Sequence, residues 1–184
     1  MAVNKVAVKY AKSLLDFAEE RNALPTFSKD VDAVLHVFGQ TDEVKRFFKN
    51  PIIKEKDKAA VFTTLFKERV SNEFFEFVSL MIRKGRENVL EEVLLSFVEF
   101  KNEALGIVPV ALTTSYPLSS QELDPIKTAF EKILNKKVIF TLAVDEKLIG
   151  GFVAKCKDQI YDASLQHQLA LLKTQLKFGG PSLN

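Results

Sequence analysis

The sequence predicts a mainly α protein, with an N-terminal six-helix bundle over residues 1–105 and a small α/β (α+β) domain over residues 106–184. Three observations predict this. Apolar residues recur at helical spacing up to Leu105, with short breaks between runs. After Gly106 the pattern changes to the alternation of a strand, in Val108, Val110, Leu112 and Thr114. Twelve of the 16 phenylalanines lie in residues 1–104, so the two parts draw on separate cores. A chain of 184 residues, 47% apolar, has enough material for both.

The first helix covers residues 3–20, with Val3, Val6, Ala7, Tyr10, Ala11, Leu14, Leu15, Phe17 and Ala18 as its apolar positions. Pro25 and Thr26 restart the pattern, and a second helix follows through Val31, Val34, Leu35 and Phe38 to Gly39. Thr41 can cap a short third helix carrying Val44, Phe47 and Phe48. Asn50-Pro51 stops it, because the residue before proline avoids the helical region. A fourth helix spans 54–70 around Val61, Phe62, Leu65 and Phe66. Ser71 caps a fifth, Glu73–Lys84, and Gly85 interrupts. The sixth carries Val89, Leu90, Val93, Leu94, Phe97 and Val98. In the second part, Ser119 and Glu122 form a capping box for a helix through Leu123, Ile126, Phe130, Ile133 and Leu134. Val138–Val144 reads as a strand. Phe152, Ala154 and Cys156 share a strand face, a turn at residues 157–159 leads into Ile160-Tyr161, and a last helix carries Leu165, Leu169, Leu172 and Leu176.

Composition narrows the function. Residues 1–104 hold 17 basic and 17 acidic side chains, and residues 105–184 hold 9 and 7, so neither part has the basic excess of a nucleic-acid binder. The single cysteine excludes an intrachain disulfide. The N-terminus lacks the layout of a signal peptide. The longest apolar runs are far shorter than a membrane span, so membrane association comes only through a partner.

Catalytic chemistry finds no foothold. Gly150-Gly151 lacks the Gly-Lys-Ser/Thr of a phosphate loop and the third glycine of a dinucleotide fingerprint, and reads as a structural corner at a strand start. His36 and His167 lie 131 residues apart and, with one cysteine, offer no familiar zinc spacing. Cys156 reads as a buried, inert thiol. The mixed run Lys54-Glu55-Lys56-Asp57-Lys58 reads as solvated surface. We therefore expect no catalytic, cofactor-binding or metal-binding residues.

Two helices are apolar over too wide an arc for one core-facing stripe. On the first, Ala7, Ala11, Leu14 and Ala18 form one side, and Val6, Tyr10, Ser13 and Phe17 a neighbouring one. On the fifth, Phe74, Phe75, Val78 and Ile82 form one side, and Phe77, Leu80 and Met81 another. Either both helices are central in the bundle, or the surplus sides line a groove for a partner's amphipathic helix.

The whole chain resembles the delta subunit of the F-type ATP synthase, the oligomycin-sensitivity-conferring protein family. The resemblance rests on Tyr10-Ala11-Lys12-Ser13-Leu14, on Phe47, Phe48 and Asn50-Pro51-Ile52, on Gly85-Arg86 with Leu90 and Phe97, and on Pro117-Leu118-Ser119. Its most specific part is Val144-Asp145, Leu148-Ile149-Gly150-Gly151-Phe152, Asp158, Tyr161-Asp162, Ser164 and Leu169 in that order. Ala163 and Lys157 depart from it, standing where the family has glycine. The resemblance implies a stator subunit without an active site or cofactor, which couples rotation to ATP synthesis. Its helical domain would bind N-terminal helices of the alpha subunits on the catalytic head. Its C-terminal domain would meet the C-terminal ends of the b subunits of the peripheral stalk. It would sit peripherally on the cytoplasmic face of a bacterial plasma membrane. The family's alpha helix lies between the first and fifth helices, which assigns Val6, Tyr10, Ser13, Phe17, Phe77, Leu80, Met81 and Lys84 to partner binding. Asp145, Gly150, Gly151, Asp158, Asp162 and Ser164 would form the structural motif. The other reading is a helical adaptor or regulatory protein of a different complex.

Overall fold

A computed structural model describes residues 4–178. The protein is mainly helical with one small mixed sheet, and it divides into two compact units, Met1–Lys101 and Asn102–Asn184. The division falls in the last turn of α6.

In the first unit α1 spans Lys5–Glu20, α2 Leu24–Gln40, α3 Asp42–Lys49, α4 Glu55–Phe66, α5 Asn72–Arg83 and α6 Leu90–Ala104, with a 3-10 turn at Glu87–Val89. Asn4 caps α1 by accepting from the Val6 N–H at 3.1 Å. Pro25 sits in the first turn of α2, where its missing N–H costs nothing. Helix α4 ends a turn earlier than the periodicity suggests. The N–H groups of Arg69 and Val70 both fold back on the Phe66 carbonyl, and Lys67, Glu68 and Arg69 have no apolar side to hold a further turn against the core. Helix α5 ends in a Schellman motif. Arg86 N–H donates to the Met81 carbonyl and Gly85 N–H to that of Ile82, with Gly85 at φ +64°.

These helices share one apolar core, which includes Phe27, Phe38, Phe48, Phe62, Phe66, Phe74 and Phe97. Each buried phenylalanine contributes roughly 1.5–3 kcal/mol of transfer free energy, so this aromatic cluster carries much of the unit's stability. The rings of Phe38 and Phe48 stack at 5.5 Å, and Phe62 lies 4.9 Å from Phe66 and 5.4 Å from Phe75.

Two polar contacts inside this unit correct the sequence reading. Lys58, taken as part of a solvated charge run, is 2% exposed, and its Nζ donates to Glu87 Oε1 at 2.7 Å. The pair ties α4 to the 3-10 turn, while Glu87 Oε2 is buried without a hydrogen-bond partner. Charge runs mark surfaces only on average, and Lys58 sits at the one position of its run that turns inward, four residues before Phe62. Ser71 does not cap α5 with its own side chain. Instead the buried Asp30 of α2 accepts from both the N–H and the hydroxyl of Ser71 through Oδ2, which places a carboxylate at the start of α5. A partner 41 residues away is invisible to local capping rules.

In the second unit β1 (Ile107–Thr114) runs into α7 (Ser120–Leu134), then β2 (Lys137–Val144), β3 (Phe152–Cys156), β4 (Gln159–Asp162) and α8 (Leu165–Phe178). The strand order is β2-β1-β3-β4. Strands β1 and β2 are parallel with Val110 opposite Phe140, as a helical crossover permits, and the other pairs are antiparallel. Glu122 accepts from the N–H and hydroxyl of Ser119, fixing the start of α7. The core gathers Val108, Val110 and Leu112 of β1, Val138 of β2, Ala154 and Cys156 of β3, and Phe130 of α7. No helix among the described residues is long and apolar enough to cross a membrane.

Replacing Lys58 by Met leaves Glu87 as an unpaired buried charge, and is expected to cost about 3–5 kcal/mol in denaturant unfolding. The double variant Lys58→Met/Glu87→Leu removes both charges and is expected to recover most of that loss, which chemical denaturation of the single and double variants measures directly.

Candidate partner-binding face

The rings of Tyr10 and Phe77 meet edge-on at 6.4 Å. Phe27 of α2 touches Phe17 at 5.9 Å and Phe74 at 6.0 Å. Tyr10 therefore meets Phe77, while Phe17, later in α1, and Phe74, earlier in α5, meet one shared ring, so α1 and α5 run antiparallel. Ala7, Ala11, Leu14 and Ala18 of α1 and Phe74, Val78 and Ile82 of α5 are buried.

The surplus sides flank this seam. Val6, Tyr10 and Phe17 of α1 and Phe77 of α5 are half-buried, packed against the core at one edge and open at the other. Ser13 and Lys84 are exposed, and Leu80 is 43% exposed. Arg21 lies over the Phe17 ring at 5.1 Å. Met81 is a correction. It is fully buried, because the helices packed on α5 extend the core over the arc between Phe74 and Phe77 where Met81 stands. It supports the face from beneath and offers it no surface. What the structure brings together is a strip of three half-buried aromatic rings, Tyr10, Phe17 and Phe77, with Leu80 and Val6 at one end.

Five of the six motif residues of the second unit, Asp145, Gly150, Gly151, Asp162 and Ser164, form a corner, and Asp158 lies apart from them at the other end of the β3–β4 hairpin. Asp145 N–H donates to the Thr114 carbonyl at 2.9 Å, and Asp145 Oδ1 accepts from Lys147 N–H at 3.0 Å, closing the turn after β2. The Gly150 carbonyl accepts from Leu165 N–H at 3.0 Å, pinning the start of α8. Gly151 has φ +79°, and a Cβ there would stand 2.3 Å from the Ala163 carbonyl oxygen. A Cβ on Gly150 would meet only the end of the flexible Leu165 side chain, at 2.7 Å. Asp162 Oδ1 accepts from Ser164 N–H at 2.9 Å, and the buried Ser164 hydroxyl accepts from His167 N–H at 3.2 Å, capping α8. The Ser164 hydrogen bonds, aided by the nearby His167, hold the Asp162 carboxyl below its ordinary range. Asp158 is exposed in the two-residue β3–β4 turn beside Lys157, which adopts φ +52°. A left-handed residue with a Cβ costs about 1–2 kcal/mol, so this is where glycine would be the easier choice. Gly151 thus serves the close packing of two backbone segments, and Gly150 bonds the start of α8 through its carbonyl. Cys156 is buried, and His36 and His167 are exposed.

Residues 6–176 match the family model described as ATP synthase delta (OSCP) subunit. The chain is 34% identical over 164 residues to the ATP synthase subunit delta of Brevibacillus brevis, covering 89% of this chain and 94% of that one. It is 34% identical over 182 residues to that of Solidesulfovibrio magneticus, covering 97% and 100%, and 33% identical over 175 residues to that of Cytophaga hutchinsonii, covering 95% and 96%. Among solved structures, a chain of the Toxoplasma gondii mitochondrial ATP synthase hexamer shares the fold. Its TM-score is 0.68 at 19% identity, over 97% of this chain and 100% of that one.

The corner yields two expectations. Gly151→Ala is expected to lower stability by about 2 kcal/mol or more through strain and a backbone clash, whereas Gly150→Ala costs less because a side chain can yield; thermal unfolding of the two variants ranks them. Because Asp162 has a lowered folded-state pKa, its contribution is present at pH above its unfolded value and is lost as pH falls through the folded one. Acid unfolding followed below about pH 4 is expected to be shallower in Asp162→Asn than in the parent.

Proposed function

Because the chain belongs to the ATP synthase delta (OSCP) subunit family, we propose that its α1/α5 face receives an N-terminal helix of an alpha subunit. The chain is a non-catalytic stator subunit of the F-type ATP synthase, a structural part that links the peripheral stalk to the catalytic head, and its partners are other subunits of that complex. Its association with the membrane is indirect, through the complex. The adaptor reading gives way to this family membership.

The finer assignments are ours. The six helices of residues 1–105 act as one bundle that binds the head. Residues 106–184 act as the domain that meets the C-terminal ends of the b subunits. The subunit works on the cytoplasmic face of the membrane. The observation that carries the head contact is the strip of Val6, Tyr10, Phe17, Phe77 and Leu80, apolar side chains left half-open on a finished core. Ser13 and Lys84 rim it, and Met81 fixes its floor. A stator carries load and needs no turnover, so its contact must hold while torque is applied. A helix laid in an apolar seam meets that need, since burial at roughly 25 cal/mol per Å² accumulates along its length. Tyr10 and Phe77 provide rigid aromatic area at small entropic cost.

A calorimetric titration of the full chain with a peptide of the cognate alpha subunit's N-terminus tests this. One site of near-micromolar affinity, about 8 kcal/mol, is expected. Leu80→Asp, on an exposed position, and Phe77→Asp are each expected to weaken it at least ten-fold with circular dichroism unchanged. Absence of binding by the folded parent would remove the assignment.

A further inference from the structure

The charges beside the α1/α5 seam are sorted along its length. At the start of α1, Lys5 and Lys9 stand on the solvent edge of the Val6–Tyr10 side, and the antiparallel packing brings Lys84, at the end of α5, to the same level. At the other end, Asp16 and Glu20 stand on the same edge of α1, and Glu73 begins α5. All six are exposed, and none forms an ion pair among the described residues. One end of the seam is thus basic, and the other is acidic on balance, with Arg21 laid over the Phe17 ring beside its carboxylates. The backbone does not produce this, because the dipoles of two antiparallel helices oppose each other.

Resting on the reading of this seam as a helix-binding site, we infer that it sets the direction of its occupant by charge. The partner is an amphipathic helix with acidic side chains in its first turns and basic side chains in its last. It lies parallel to α1 and antiparallel to α5, with its start beside Lys5, Lys9 and Lys84 and its end beside Asp16, Glu20 and Glu73. An apolar strip alone cannot choose between the two directions, since a stripe of leucines and isoleucines reads nearly the same both ways. Rim charges add little affinity but penalise the wrong register through like-charge contacts. Such a partner also suits its own dipole, which favours acidic residues first and basic residues last.

The test uses two synthetic helices of ~20 residues with one composition and one apolar stripe. In one, glutamates occupy the first turns and lysines the last; in the other, that order is reversed. Each is titrated into the full chain at low ionic strength. The acid-first peptide is expected to bind about ten-fold tighter, since each exposed pair contributes only a small factor. Because the reversed peptide is also the poorer helix, both are titrated into Lys9→Glu/Lys84→Glu/Asp16→Lys/Glu73→Lys as well. There the preference is expected to invert, which intrinsic helicity cannot cause. A spin label on the acid-first peptide's N-terminus is expected to broaden the amide signals of Lys9 and Lys84 and spare those of Glu20 and Glu73. If both peptides bind the parent and the quadruple variant in the same ratio, charge does not set direction, and the helix-binding reading survives alone. If neither binds the folded parent, the helix-binding reading itself is overturned.

Discussion

Phe27 packs between Phe17 of α1 and Phe74 of α5, and much of the first unit follows from that contact. It sets the two helices level and antiparallel. Once their small and aliphatic positions are committed to the core, Tyr10 and Phe77 meet at the edge of the seam, each half-buried. The core is therefore complete while its rim stays apolar. A protein that only had to fold would place polar residues at these positions; on the function proposed above, the rim is left for another chain.

Polar contacts hold the ends of that arrangement. Asp30 secures the start of α5 from α2, and Lys58 with Glu87 secures the turn that follows α5 from α4. Neither is cheap to bury. A buried ion pair roughly offsets its own desolvation, so its value lies in geometry more than in stability. The effect is that α5, which carries Phe77 and Leu80, is fixed at both ends by neighbours that take no part in the strip. A load-bearing contact needs such fixing, because an element free to shift would let a docked helix slide.

The second unit uses a different device. Its sheet packs one face on α7, and its last helix is positioned through backbone, with Leu165 bonded to Gly150 and Ala163 pressed against Gly151. Leu169, Leu172 and Leu176 of α8 are exposed. The asymmetry between the units matches the uneven distribution of phenylalanine: aromatic interdigitation organises the first, and a β ladder with one tight corner organises the second.

The sequence by itself determined the elements. Helical periodicity, prolines 25 and 51 and the change to alternation after Gly106 act within a few residues, and each fixed a local structure present in the fold. The wide apolar arcs of α1 and α5 were legible for the same reason, since a helix wheel needs no knowledge of neighbours. Family resemblance then pointed to the seam between them. Tertiary structure decided what each surplus residue does. Met81 and Phe77 are nearly equivalent on the wheel, yet one is sealed and the other half-open, because the position of α2 and α1 beside α5 determines where the core ends. Lys58 reads as surface until Glu87 arrives from 29 residues away, and Ser71 reads as its own cap until Asp30 takes that role. The sorting of charge along the seam needed the antiparallel docking that brings Lys84 to the end of the seam where α1 begins. Periodicity reports which way a side chain leaves its own helix; only packing reports what it meets there.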